Sequence, residues 1–245
     1  MADKRIFARQ IGVLCGALFC AVFASAATRA ADADRYVRDG VLVSREDPRL
    51  AMSVDHAFVF AGRHPIRIDD IAAGERFVFV DADDRLIHRL IIVQFEGFLP
   101  GVNEEYRYNL TGKPVVAAYP FRSNGFAFDF PAAAAENPTR ESAFTKTFLD
   151  EQGYKAPAEW MMWRSLTVAD VPRRKEVIIF YVEDVAATGL TLDDLYQGDS
   201  ATQDWIDIQK QLEIRANQSF RLTTLNADDM PDAAGWSSIP NTFMN

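Results

Sequence analysis

Alternation of apolar and polar positions predicts that the first half of the chain is built mainly from β-strands. The clearest strands are Arg76–Val80 and Leu86–Phe95, which are apolar on both faces and are therefore expected to be covered on two sides. The acidic stretch 81–84 joins them, and so short a connection makes the two strands antiparallel. Val54–Ala61 is expected to form another strand, with His56 on its more apolar face.

An Asn-Gly pair, Asn124-Gly125, lies between two runs of alternating aromatic residues. Asn-Gly favours the two-residue type I′ turn of β-hairpins, so the sequence predicts a hairpin here. In this register the aromatic side chains share one face of the ribbon, with Phe121 opposite Phe128 and Tyr119 opposite Phe130. Such a surface either belongs to the core, lines a ligand cleft or faces a partner.

The second half is expected to contain two main helices. One follows a capping Asn137 and ends near Gly153, and the other runs from about Ala201 to Asn217. Further strands are expected at Trp160–Val168, Val177–Val182 and Phe220–Leu222. Strands in runs with late helices predict one α+β domain over residues 35–225, with helices packed on one side of a curved antiparallel sheet. The pattern leaves open whether this sheet closes into a barrel-like shape.

The ends of the chain differ from this domain. Residues 1–26 have the layout of a cleaved secretory signal: basic residues, the apolar run Ile11–Phe23 and the small residues 24–26. The run is shorter than the about 20 residues that span a membrane, so no integral span is expected in the mature form. Cys15 and Cys20, the only cysteines, leave with the signal, which suggests a bacterial periplasmic protein. Residues 226–245 are expected to form an irregular tail.

Composition limits the partners. The chain has 26 Lys and Arg against 35 Asp and Glu, a formal net charge of −9. Binding of phosphate backbones needs a basic face, so no nucleic-acid partner is expected. A small molecule or an envelope protein is the expected partner.

Histidine chemistry is limited to His56, His64 and His88. No two of them lie at a tight metal-ligand spacing, so neither a metal site nor a cofactor is expected. The enzymatic alternative is a periplasmic hydrolase or lyase that uses His56 or His88 with a nearby carboxylate. Asp55 is not expected to serve His56, because neighbouring residues of a strand point to opposite faces.

Two arginines, Arg89 and Arg164, alternate with apolar residues on predicted strands. A guanidinium is almost never fully buried unless it is paired. Each arginine therefore holds the carboxylate or phosphate of a ligand in an apolar pocket, pairs with an internal carboxylate such as Glu96, Glu159 or Glu183, or lies across a sheet edge.

These features favour an exported, non-catalytic protein that binds a small apolar or amphipathic ligand or a partner protein. The candidate binding residues are Arg89, Arg164, Tyr119, Phe121, Phe128 and Phe130.

Overall fold

A computed structural model describes residues 34–225, so the predicted signal segment and the predicted tail lie outside the described residues. The predicted α+β class is confirmed, and the sheets are mostly antiparallel. The main sheet stays open and does not close into a barrel. Among residues 34–225 no helix is both long and apolar enough to cross a bilayer.

The main sheet has six antiparallel strands in the order β4-β5-β6-β11-β10-β9. In that order the strands span Val59–Ile68, Ala72–Asp83, Leu86–Phe98, Lys175–Asp184, Glu159–Val168 and Arg122–Asp129. The central parts of β5, β6, β11 and β10 are buried on both faces. The sequence predicts this burial for β5 and β6. Phe77 and Phe79 pack into one core cluster, whereas Val78 and Val80 pack into another on the opposite face.

A second sheet has four strands in the order β1-β2-β3-β14. These strands span Arg35–Arg38, Val41–Ser44, Leu50–Val54 and Phe220–Thr224. The last of them is the edge strand that the sequence predicts near Phe220–Leu222. Two short pairs complete the strands: β7 (Val115–Val116) with β8 (Tyr119–Pro120), and β12 (Tyr196–Gln197) with β13 (Ser200–Ala201).

Helices cover both faces of the main sheet, so the prediction of helices on one side is wrong. The helices are α1 (Phe130–Glu136), α2 (Glu141–Glu151), the single turn α3 (Leu192–Leu195) and α4 (Gln203–Ser219). α1 and α2 bury side chains in one core cluster, on what we call the α2 face, and α4 buries Trp205 and Leu212 in the other, on the α4 face. Because both sheet faces are apolar, both need cover.

Helix α1 is absent from the sequence-based prediction. Pro131 suggests an edge strand by its type, but it occupies the first turn of the helix, where its missing N–H costs nothing. The Asp129 carboxylate caps the helix by accepting a hydrogen bond of 2.7 Å from the backbone N–H of Ala132. The same run of residues therefore leaves strand β9 and enters a helix without a loop.

The strand predicted at Val54–Ala61 is wrong, since β3 ends at Val54 and β4 begins at Val59. Between them Asp55 turns the chain: its carboxylate accepts from the backbone N–H of Ala57 at 2.9 Å, and its carbonyl accepts from the N–H of Phe58 at 3.0 Å. Asx turns of this kind compete with strand pairing.

The hairpin predicted at Asn124-Gly125 is also wrong. Both residues lie within β9, which pairs with β10 along its whole length and places Gly125 opposite Trp163. A Cβ at Gly125 would lie 2.8 Å from Cγ of Gln209, on α4, and 3.0 Å from Cε3 of Trp163. The lack of a side chain at Gly125 thus allows α4 to pack close to the sheet. The Asn-Gly dipeptide by itself cannot indicate this role.

Candidate ligand-binding site

Arg89 is held by an internal partner. Its Nε donates to Oδ2 of Asp81 at 2.6 Å, across the β5–β6 pair, and its guanidinium lies 5.0 Å from the ring centroid of Phe58. Burial acts to lower the pKa of Arg89, but the hydrogen bond and charge of Asp81 raise it. In this structure Arg89 therefore pairs with Asp81 and not with Glu96, Glu159 or Glu183.

Arg164 is held by Asn124, the residue expected in a turn. Both Nε and Nη2 of Arg164 donate to Oδ1 of Asn124, each at 3.2 Å, and the guanidinium lies 5.5 Å from the ring centroid of Phe126. Neither Arg89 nor Arg164 lines any of the four main cavities within residues 34–225.

The two histidines of the enzymatic alternative lie at the surface. His56 Nδ1 is 3.5 Å from Oδ1 of Asp55, contrary to the expectation that strand geometry separates them, because both residues lie in a turn. His88 Nε2 is 3.3 Å from Oδ2 of Asp83. The side chain of His56 is 92% exposed, and neither histidine lines any of the four main cavities described.

The predicted aromatic ribbon is divided between the two sheet faces. Phe121 is buried in the α4-face core, with Tyr119 packed against it, whereas Phe130 belongs to the α2-face core, with Phe128 packed against it. Phe130 stacks on Trp160 with ring centroids 3.9 Å apart. The prediction that these aromatic side chains share one face is wrong, because β9 continues through Gly125 and its alternate side chains point to opposite faces.

One cleft on the α4 face has the character of a small-molecule site. It has a volume of about 540 Å³, within the range of roughly 300–1,000 Å³ that ligand pockets occupy. Its apolar lining comprises Phe121, Trp163, Ile179, Phe220 and Leu222. We call it the apolar cleft. Of the six candidate binding residues only Phe121 lines it.

Strand register supplies a polar pair inside the apolar cleft. Ser123 and Ser165 are direct partners of β9 and β10, and their hydroxyl oxygens are 2.8 Å apart. Each hydroxyl can donate and accept, so the pair can turn either function toward a ligand. Lys113, Glu213 and Arg221 also line the cleft, and all three are exposed, which places charges of both signs at its rim.

In two other concavities charged residues make up a larger share of the lining. One, of about 420 Å³, contains Arg35, Glu46 and Arg174, and another, of about 520 Å³, lies beside the ion pair of Glu183 with Arg215. Within residues 34–225 no group of three or more His, Cys, Asp or Glu side chains is placed to hold a metal ion.

A buried polar network on the α2 face has no counterpart in the sequence-based prediction. Nε of Arg76 donates to Oε1 of Gln94 at 2.6 Å, and Nε2 of Gln94 donates to Oε2 of Glu96. Tyr106 donates its hydroxyl to Oε1 of Glu96 at 2.8 Å. Arg76, Gln94 and Glu176 are each at most 3% exposed. The sequence did contain a signal for this network: the polar residues Gln94 and Glu96 lie two positions apart and therefore share one face of a strand.

Glu176, on β11, lies directly opposite Glu96, on β6, so two carboxyl groups meet inside this network. Burial raises the pKa of Glu176, and the hydrogen bond to Glu96 and the charge of Glu96 raise it further, to about 9. Burial and the neighbouring carboxylates also raise the pKa of Tyr106 and of Tyr108. At neutral pH the Glu176 carboxyl therefore keeps its proton, since a second negative charge beside Glu96 is unfavourable.

The described structure thus offers an apolar cleft on one sheet face and a buried polar network on the other. No protein-family model matches the chain, and neither a curated protein nor a solved structure is significantly similar to it. Its function must therefore be inferred from these residues themselves.

Proposed function

We propose that this protein is an exported binding protein, without catalytic activity, that takes a small amphipathic molecule into the apolar cleft. The observation that carries the proposal is the cleft itself: a concavity of about 540 Å³ whose apolar lining includes Phe121, Trp163 and Phe220 and whose rim is charged. Sites for small molecules combine predominantly apolar walls with a few polar groups in this way.

The lining indicates what such a ligand would offer. Trp163 and Phe121 are at least 90% buried and present rigid aromatic surface, which contacts flat or flexible apolar groups at little entropic cost. The Ser123–Ser165 pair would orient a single hydroxyl, carbonyl or ether oxygen within the cleft. A ligand with one apolar body and one weakly polar group fits these features.

We expect Ser165→Phe to weaken binding of the apolar fluorescent probe N-phenyl-1-naphthylamine. The new ring would fill the cleft beside Trp163 and remove the Ser123–Ser165 pair, so the apparent Kd should rise by about tenfold or more, a loss of about 1.4 kcal/mol. Fluorescence titration of the purified protein measures this change.

Val171→Phe is the matched control, because it adds the same ring at a position that is 97% exposed and outside the cleft lining. This variant should bind the probe as the unsubstituted protein does. Equal affinity in all three proteins, or no binding by any of them, would contradict the proposed site.

Export is a separate part of the proposal and has its own test. Protein isolated from the periplasm should begin at Ala27, with an intact mass below the 27.5 kDa of the full chain. Ala26→Leu should slow processing and accumulate the precursor, since signal peptidase requires small residues at the cleavage site. A periplasmic protein with the full mass would refute the cleaved signal.

A further inference from the structure

A second, much smaller cavity lies on the α2 face. It has a volume of about 20 Å³ and is lined by Arg76, Thr145, Trp160, Phe128, Phe130 and Phe180, among others. We call it the Arg76 cavity. A space of roughly 10–15 Å³ holds one water-sized particle, so this cavity accommodates one or two non-hydrogen atoms. Two of the six candidate binding residues, Phe128 and Phe130, are part of its wall.

Arg76 brings a positive charge to this cavity without a matching carboxylate. The residue is 1% exposed. Its Nη1 donates to the backbone carbonyl of Glu141 and to Oγ1 of Thr145, each at 2.7 Å, and its Nε donates to Gln94. No ion pair is formed by Arg76 within the part of the chain that the structure describes, and no hydrogen bond by its Nη2. Buried arginines are normally paired, so this one has unused donor capacity.

Burial lowers the pKa of Arg76 to about 10, while the charges of Glu141 and Glu96 act to raise it. The guanidinium therefore remains protonated at neutral pH. Glu141 and Glu96 act on the guanidinium through space, but none of its direct hydrogen-bond partners is a carboxylate. An anion in the cavity would therefore offset more of the cost of burying the charge.

Trp160 contributes a second unused donor. The residue is 2% exposed, and its Nε1–H has no hydrogen-bond acceptor among residues 34–225. Stacking against Phe130, at a centroid distance of 3.9 Å, fixes the indole in place. Indole and guanidinium groups can only donate, so a shared occupant of the cavity must accept from both.

We propose that the Arg76 cavity binds a single halide ion, which accepts from the Arg76 guanidinium and from Nε1 of Trp160. This site is separate from the apolar cleft, which lies on the other face of the sheet. A water molecule could accept from the same donors but would place no negative charge in direct contact with the guanidinium. The aromatic walls exclude bulk water and so strengthen the attraction between anion and guanidinium.

Glu141 provides an internal comparison, because it lines the cavity and its charge acts on Arg76. A carboxylate at this position weakens the binding of an anion through like-charge repulsion. Glu141→Gln should therefore tighten anion binding, by about fivefold for a repulsion of the order of 1 kcal/mol.

The test is excess broadening of the ³⁵Cl NMR signal of sodium chloride by the purified protein, with ionic strength held by sodium sulfate. Loss of a charge-assisted hydrogen bond in Arg76→Met should weaken chloride binding by about 10- to 100-fold. Loss of a neutral donor in Trp160→Phe should weaken it by about 3- to 10-fold. Arg63→Met, which removes an exposed arginine that pairs with Glu75 outside the cavity, should leave the broadening unchanged.

Competition tests the size of the site. Displacement of chloride by bromide supports the proposal, whereas displacement by sodium formate, whose carboxylate has three non-hydrogen atoms, would contradict a site for a single halide ion. The proposal would be overturned if the unsubstituted protein caused no excess broadening. It would also be overturned if Trp160→Phe broadened the signal as strongly as the unsubstituted protein does. Should Arg76→Met fail to fold, Trp160→Phe and Glu141→Gln still decide the outcome, since they must change chloride affinity in opposite directions.

Discussion

Glu176→Gln is expected to stabilise this protein at neutral and alkaline pH and to flatten its dependence of stability on pH. Glu176 is 3% exposed, lies opposite Glu96 in the strand register, and its Oε2 has no hydrogen-bond partner among the described residues. A glutamine keeps the shape of the side chain and removes the ionisable group, so the network would no longer need a proton to remain neutral.

The sign of the pH effect follows from the raised pKa. Burial and the proximity of Glu96 raise the pKa of Glu176 from 4.5 to about 9, so between these values the folded protein holds a proton that the unfolded chain releases. The free energy of unfolding contributed by this group is fully present below pH 4.5 and is lost as the pH rises toward 9. One proton corresponds to about 1.4 kcal/mol for each pH unit in that window.

Urea unfolding of the unsubstituted protein and of Glu176→Gln at pH 5, 7 and 8.5 measures the effect. The difference between the two free energies of unfolding should grow with pH and reach a few kcal/mol at pH 8.5, at about 1.4 kcal/mol per pH unit. Glu151→Gln, at an exposed position at the end of α2, is the control. Parallel curves for the unsubstituted protein and Glu176→Gln would show that the carboxyl pair holds no proton.

Gly74→Ala is expected to cause a large loss of stability. A Cβ at Gly74 would lie 1.9 Å from the backbone carbonyl oxygen of Phe95 and 2.7 Å from Cα of Glu96, both on the paired strand β6. Backbone atoms at the centre of a sheet cannot move aside as a flexible side chain can. We expect a cost of about 3 kcal/mol or more, at the upper end of what overpacking causes.

The matched control is Gly112→Ala, where a Cβ meets no atom within 4 Å but φ is +70°. That variant should lose only about 1–2 kcal/mol, the cost of a left-handed backbone for a residue with a Cβ. Chemical denaturation of both variants separates the steric effect from backbone strain. Because Gly74 faces Glu96, Gly74→Ala should also alter the pH dependence described above, and equal stability losses in the two variants would contradict the steric explanation.

Prediction from sequence succeeds for this protein where the pattern is local. The two-faced apolar patterns of Arg76–Val80 and Leu86–Phe95 correctly predict strands, β5 and β6, whose central parts are buried on both sides. The last helix is predicted within two residues at either end, and its cap is Thr202, whose hydroxyl accepts from the N–H of Trp205 at 3.3 Å. Periodicity and chain length carry this information because burial repeats with the geometry of each element.

The candidate sites depended on contacts between residues far apart in sequence. Arg76 lies in a strand predicted from its apolar neighbours, yet it meets Thr145 of α2, 69 residues away, and the partner of Arg89 is Asp81 and not the glutamates considered. A charged residue in a strand has the same local pattern whether it faces solvent, a carboxylate or a cavity. Only the partner across the sheet distinguishes these cases.

By itself, the sequence determined the α+β class, the central strands with two apolar faces, and the approximate extent of α4. Tertiary structure alone decided that β9 runs straight through Asn124-Gly125, because its whole length pairs with β10 and Gly125 leaves room for Gln209. Because β9 continues through these two residues, Phe121 lines the apolar cleft and Phe128 lines the Arg76 cavity. The physical reason is that a turn preference is a local energy of about 1 kcal/mol, which the pairing and packing of a whole strand outweigh.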